Sequence, residues 1–184
     1  MTSSTAGPPA CGVKFSNPGH AASPPASTPR PNWPPLDETE ELLEDARQKN
    51  ADLRTAAHAL FQKMGTLLSE ANALLVLTDA EGLVLEQIGD LRTHIAARSI
   101  HLIRGGKWDE AAIGTNGIGT AIRSGRPTLV HASEHFCQGI KAWTCAAAPI
   151  RDPVDQHIGV AGVCRTDLHI IEGIWRPHTD PSGT

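Results

Sequence analysis

Between Glu70 and Ala73 the apolar pattern changes period, and that change restricts the chain to folds that join helix to sheet. Before it, a stripe runs through Leu43, Ala46, Asn50, Leu53, Ala57, Leu60, Met64 and Leu67, in steps that alternate three and four. That spacing predicts one long helix with a heptad seam. After it, ALLVLT (73–78) is a short apolar run, Asp79–Gly82 is turn chemistry, and Leu83–Ile88 alternates apolar with polar. This second pattern predicts a β-hairpin.

The helix is expected to start near Asp37, which stands three residues before Glu40 as in a capping box. The acidic run DETEELLED suits a helix N-terminus. A lone Asn within an apolar seam favours an in-register helix dimer, so a homodimer through Leu43–Leu67 is one expectation. The other is an amphipathic helix lying on its own domain.

Downstream, Leu91–Leu102 reads as a weak helix ended at Gly105–Gly106. GTNGIGTAIR (114–123) reads as a short helix entered at Thr115 or Asn116 and stopped at Gly125. Pro127–Ala132, Trp143–Ile150 and His157–Cys164 read as strands, with a turn at 151–156. The fold class is therefore α+β, with an antiparallel sheet.

The first 35 residues hold nine of the 14 prolines and no Leu or Ile. Such a segment cannot bury enough apolar surface to offset its ordering entropy, so 1–35 is expected to be a disordered tail. The remainder divides into a helical segment (36–70), a strand-rich domain (71–166) and a short tail (167–184), in which Leu168–Trp175 has room for one brief helix before Pro177.

A net charge of −4 offers nucleic acid no broad attraction. No apolar run reaches the length of a membrane span, and the N-terminus does not read as a secretory signal. Four cysteines without an export signal argue for reduced thiols and a cytoplasmic chain.

The Gly114–Gly119 run has the spacing GxxGxG and does not lead from a clear strand into a long helix, which argues against dinucleotide binding. The densest cluster of reactive types is His131, His135, Cys137, Trp143 and Cys145. A soft metal, a Cys137–Cys145 redox pair, and plain packing or ligand contact all remain open for it. HxxxHxC is not a known zinc spacing, and no CxxC occurs, so no metal or cofactor is assigned. Trp108, after Gly105–Gly106, serves either as a lid or as core filling. His135 is the best polar candidate for an anionic or carbonyl-bearing ligand, set against a simple surface histidine.

Read in order, the segments are LLVLTDAEGLVL, KWDEAAIGTNGIGTAI, GRPTLVHASEHFCQGIKAWTCAAAPIRDP and HIGVAGV. This series resembles the GAF sensor domain of acetoin-catabolism regulators and related sigma-54-dependent bacterial activators, over Ala73 to Val163. The resemblance implies a GAF-like sheet of five to six antiparallel strands flanked by helices, with a small-molecule pocket over one face. It also implies a signalling role upstream of transcription. Together with the residue reading, it sets Trp108, Thr115, Asn116, Gly117, His135, Phe136, Cys137, Trp143 and Cys145 as expected ligand contacts.

Relatives of this kind continue into an ATPase and a helix-turn-helix, yet no GxxxxGK[ST] phosphate loop occurs here. The expectation is a sensor, not an enzyme, which passes its signal to a second subunit or a transcription-activator partner. A thiol enzyme of the free methionine sulfoxide reductase type and a pure dimerisation or inhibitory module are the alternatives.

Overall fold

The computed structural model describes residues 34–36 and 39–166. Asp37, the expected cap, and the expected Leu168–Trp175 helix lie outside the described residues. Helix α1 (Glu40–Lys49) is instead capped by Thr39, whose hydroxyl accepts from the Leu42 amide.

The single long helix is two helices. Asn50 leaves the helical region and separates α1 from α2 (Ala51–Glu70). Its side-chain amide donates to the Ala46 carbonyl at 2.9 Å, so the polar residue in the stripe occupies the junction between the helices. Arg47 and Arg54, one from each helix, both donate to Glu86 Oε1 at 2.8 Å, which holds the junction against the sheet. Burial pushes the Glu86 carboxyl up, but the two guanidinium bonds outweigh it and hold the group below the usual range.

Five strands form one antiparallel sheet in the order β2-β1-β5-β4-β3. They are β1 (Ala73–Thr78), β2 (Val84–Gly89), β3 (Thr128–His131), β4 (Trp143–Arg151) and β5 (His157–Thr166). The expected α+β class and antiparallel sheet are observed. β1 reads as an unbroken apolar run because it is covered on both faces: every one of its residues is buried. Leu75 and Leu77 face α2, in a cluster with Leu43, Leu53, Phe61 and Leu68. Leu74 and Val76 face the opposite cluster, which holds Trp108, Ile118, Ile140, Trp143 and Cys164.

The seam therefore differs from its heptad reading. Leu43 and Leu53 are buried against the chain's own sheet, whereas Leu60 and Leu67 are 48% and 56% exposed. Phe61 and Leu68 take the inward places. A straight helix packed on a sheet follows a 3.6-residue period, so 53, 57, 61, 64 and 68 turn inward and the strict heptad drifts off the contact line.

Over the second face run α3 (Leu91–Ser99), α4 (Glu110–Ile113) and α5 (Gly117–Ser124), with two single-turn 3-10 helices at Ala132–Glu134 and Gln138–Ile140. The Pro-rich segment ends in contact with the domain. Pro34 is buried and its carbonyl lies 2.7 Å from His101 Nδ1, while the Pro35 carbonyl accepts from the Lys107 amide. The expected disorder of residues 1–33 falls outside the described residues.

Candidate functional site

Two sequence motifs converge on the second sheet face. The first is the turn into α5. Gly114 has φ +76°, and a Cβ there would lie 2.6 Å from the Phe136 ring, so both backbone shape and space call for glycine. Asn116 is fully buried and caps α5: its Oδ1 accepts from the Gly119 amide and its Nδ2 donates to the Gly114 carbonyl, each at 2.9 Å. Gly125, with φ +63°, closes the helix as the expected stop. Gly117 lies directly on β4, where an added Cβ would be 2.9 Å from Cys145 Cβ.

The second motif is the loop 132–142. Its Phe136 amide donates to the Thr115 carbonyl at 3.0 Å and so joins the two motifs. Trp108, Cys137, Trp143 and Cys145 fall in one buried cluster with Ile113, Ile118 and Ile140. Asn116, Gly117 and His135 are also buried, whereas Thr115 and Phe136 are exposed.

Trp108 is core, not an open lid. It is 2% exposed, its indole N–H donates to the His101 carbonyl at 3.2 Å, and its amide donates to Gly82. His135 is likewise no surface histidine, at 1% exposed. Its Nδ1 lies 3.0 Å from the Ala132 carbonyl. A carbonyl only accepts, so Nδ1 carries the proton and Nε2 presents a bare lone pair. That Nε2 is buried with no hydrogen-bond partner among the described residues. Burial holds the ring's pKa below its ordinary value, so at neutral pH it stays uncharged.

The Cys137–Cys145 redox pair, one of three readings the sequence left open, does not form, because Cys145 has another partner. Cys145 on β4 faces Cys164 on β5 in register, and the two are joined as a disulfide with Cα atoms 4.2 Å apart. The general expectation of reduced thiols fails at this pair. Its partner choice follows from strand register, which cysteine spacing does not reveal. Among the described residues no group of three or more His, Cys, Asp or Glu is placed to hold a metal ion.

Two cavities lie elsewhere. One of about 390 Å³ opens between α1, β2 and α3 and is lined by Leu43, Leu91, Ile95, Arg98 and Arg104 among others. Another of about 480 Å³ lies beside α2, against Arg54, His58, Phe61 and Glu86. Of the nine expected contacts seven are buried, Trp108, Cys137, Trp143 and Cys145 among them in the cluster over the sheet, and Thr115 and Phe136 are exposed.

Residues 39–169 match the family described as the MimR N-terminal domain. The chain belongs to the MimR N-terminal domain family. Within it, the chain is 38% identical over 107 residues to the propane 2-monooxygenase operon transcriptional activator MimR of Mycolicibacterium smegmatis, covering 58% of this chain and 18% of that protein. It is 32% identical over 128 residues to the acetoin dehydrogenase operon transcriptional activator AcoR of Bacillus subtilis, covering 70% and 21%. To the acetoin catabolism regulatory protein of Cupriavidus necator it is 34% identical, over 65% of this chain and 17% of that one. The resemblance to acetoin regulators read from the motifs is borne out. The chain spans about one fifth of the length of these curated relatives.

Among solved structures, the E. coli DhaR(N)–DhaL complex contains a chain that superposes with a TM-score of 0.67 at 23% identity, over 74% of this chain and 47% of that one. This likeness shows the fold. The MimR family match takes in α1 and α2 as well as the sheet, whereas the sequence motifs carried the resemblance only from Ala73 onward. What motif reading missed is the apolar filling of the cluster over the sheet, chiefly Ile113, Ile118 and Ile140, and the partner of Cys145. Isoleucines at these places carry no sequence signature beyond apolarity. Among the described residues no helix is long and apolar enough to cross a membrane.

Proposed function

We propose that this chain is a small-molecule sensor that acts in transcriptional regulation, with its ligand held over the second sheet face at His135. The similarity to named operon transcriptional activators supports the regulatory role. One observation carries the ligand reading: His135 Nε2 is buried, neutral and without a partner among the described residues. A buried acceptor left unpaired costs free energy, and a ligand that supplies the missing donor recovers it.

The tautomer also selects the ligand's chemistry. An acceptor nitrogen is complementary to a hydroxyl and not to a carboxylate or a bare carbonyl, so the anionic or carbonyl-bearing ligand of the sequence reading gives way to a hydroxyl donor. The buried cluster over this sheet face, with Trp108, Trp143, Ile118 and Ile140, favours a small, mostly apolar body. Since these side chains fill the face, binding requires α5 and loop 132–142 to move outward. A ligand shifts that equilibrium only by favouring the opened state.

The signal leaves through the opposite face. α2 packs on β1 and β2 with Leu53, Phe61 and Leu68 and leaves Leu60 and Leu67 outward, with Met64 at the boundary. We take that outer stripe as the homodimer contact, in place of the full Leu43–Leu67 seam. Output to a transcription-activator partner would follow from the same helix.

Thermal-shift screening with small hydroxyketones and phenols, beside matched diketones and aryl ethers lacking the donor, tests the reading. A rise in melting temperature with the donor-bearing members alone supports it. Equal binding of both sets, or no binding by a folded protein, refutes it.

A further inference from the structure

We propose that Cys145 and Cys164 form a reversible oxidation site, whose substrate is a small hydroperoxide and whose state is passed directly to α5. Three observations carry this. First, the residues are exact cross-strand neighbours in the β4–β5 register, with Cα atoms 4.2 Å apart. That is close to the spacing of facing residues in an antiparallel ladder, about 4.5 Å in the closer type of pair. The sheet therefore holds the two sulfurs together whether or not they are bonded, and neither state requires a change of strand register. Second, both lie within the cluster beneath α5, at 3% and 0% exposed. Third, nothing separates Cys145 from the helix: a Cβ on Gly117 would sit 2.9 Å from Cys145 Cβ and 3.0 Å from its carbonyl oxygen.

The chemistry balances as follows. One thiolate attacks the distal oxygen of ROOH, giving a sulfenic acid and releasing ROH after proton transfer. The second thiol attacks the sulfenic sulfur, forming the S–S bond and expelling water. The sum is two thiols plus ROOH to disulfide, ROH and water. A small dithiol reverses it by two exchange steps and leaves as its cyclic disulfide. Because both sulfurs are covered, access depends on the same outward movement of α5 that exposes the sheet face. Once formed, the S–S bond pins the Cys145 side chain against Gly117 and restrains that movement.

Cys137 belongs to the same cluster but stands outside the disulfide. It is the control. The purified 184-residue chain, reduced with a dithiol and freed of it, is treated with hydrogen peroxide and followed by intact mass, peptide mapping and circular dichroism. The expected result is loss of two hydrogens, a Cys145–Cys164 linked peptide, an unchanged fold, and return to the dithiol mass on renewed reduction. Cys137→Ala keeps the response and Cys164→Ser abolishes it. The oxidised form melts at least about 5 °C higher. Its α5 amides exchange at least about tenfold more slowly, as expected when local opening is suppressed.

A folded protein that forms no link, a link through Cys11 or Cys137, or a link that yields to dithiol only after denaturation overturns the proposal. Unchanged exchange in α5 overturns the coupling to that helix. If Cys164→Ser fails to fold, the wild-type peptide map and exchange data still decide the matter.

Discussion

The Phe136 amide donates to the Thr115 carbonyl at 3.0 Å, and this backbone bond ties the loop bearing His135 and Cys137 to the turn that starts α5. Beneath it, Gly114 passes so close to the Phe136 ring that no side chain fits between them. Loop and turn therefore move as a unit. Any ligand that reaches His135 must displace or reshape both, which gives the site a mechanical connection to α5.

Asn116 is the bracket that holds the turn in shape. Replacing it with Ala removes the acceptor for the Gly119 amide and the donor to the Gly114 carbonyl in a fully buried place. The expected loss is about 2 kcal/mol, from the missing cap and the stranded polar groups. Urea unfolding measures it. Asn116→Asp retains the capping oxygen but sets a buried carboxylate oxygen against the Gly114 carbonyl, and should not restore wild-type stability.

Gly117→Ala tests how tightly α5 sits on β4. The new methyl meets Cys145 Cβ at 2.9 Å and its carbonyl oxygen at 3.0 Å, and backbone cannot swing aside as a side-chain tip does. Overpacking of this kind costs about 1–3 kcal/mol. The helix-propensity gain of Ala over Gly, about 1 kcal/mol, only partly offsets it. A net loss in the urea midpoint is expected; a net gain would mean that α5 is already loose.

Acid should weaken the fold before it reaches the carboxylates. His135 and His94 are both held below their ordinary value of 6.5 by burial, against the opposing pull of Glu134 and Asp90 respectively. Between the unfolded and folded values the unfolded chain binds protons that the native one refuses. Their contribution is therefore complete above about pH 6.5 and is lost as pH falls through the lower folded values. Glu86, also depressed, adds a loss in the same direction below its ordinary 4.5. Asp79 opposes it: burial raises that carboxyl despite its bonds from the Leu83 and Glu81 amides. Urea midpoints at pH 7.5 and 5.5 check the sign, and His135→Phe should flatten the difference.

The two leucine sets on α2 should behave oppositely. Leu53→Asp buries a charge against β1 and β5 and should prevent folding. Leu60→Asp with Leu67→Asp alters only outward positions, so helicity should persist while light scattering reports a change from dimer to monomer. A wild type that is monomeric at all concentrations contradicts the dimer contact.

Local signals carried much of this fold. The hairpin, the Asn116 cap, the Gly125 stop and all five strands were legible because each depends on turn chemistry or short-range alternation. What depends on distant partners was not. Leu60 and Leu67 turn outward because the sheet selects the inward face of α2 and draws in Phe61 and Leu68 instead. Cys145 found Cys164 through strand register, and Trp108 turned inward because the His101 carbonyl accepts its indole N–H. His135 was legible as a candidate but not as a buried acceptor, since its tautomer is set by the Ala132 carbonyl.

The central claim is that His135 Nε2 receives a hydrogen bond from a ligand hydroxyl. Titration calorimetry of a hydroxyl-bearing hit from the screen into wild type and His135→Phe, with both folds verified by circular dichroism, tests it most directly. The account predicts at least about a tenfold loss of affinity in the variant, the equivalent of one hydrogen bond at about 1.4 kcal/mol. Equal affinity in the two proteins would contradict it.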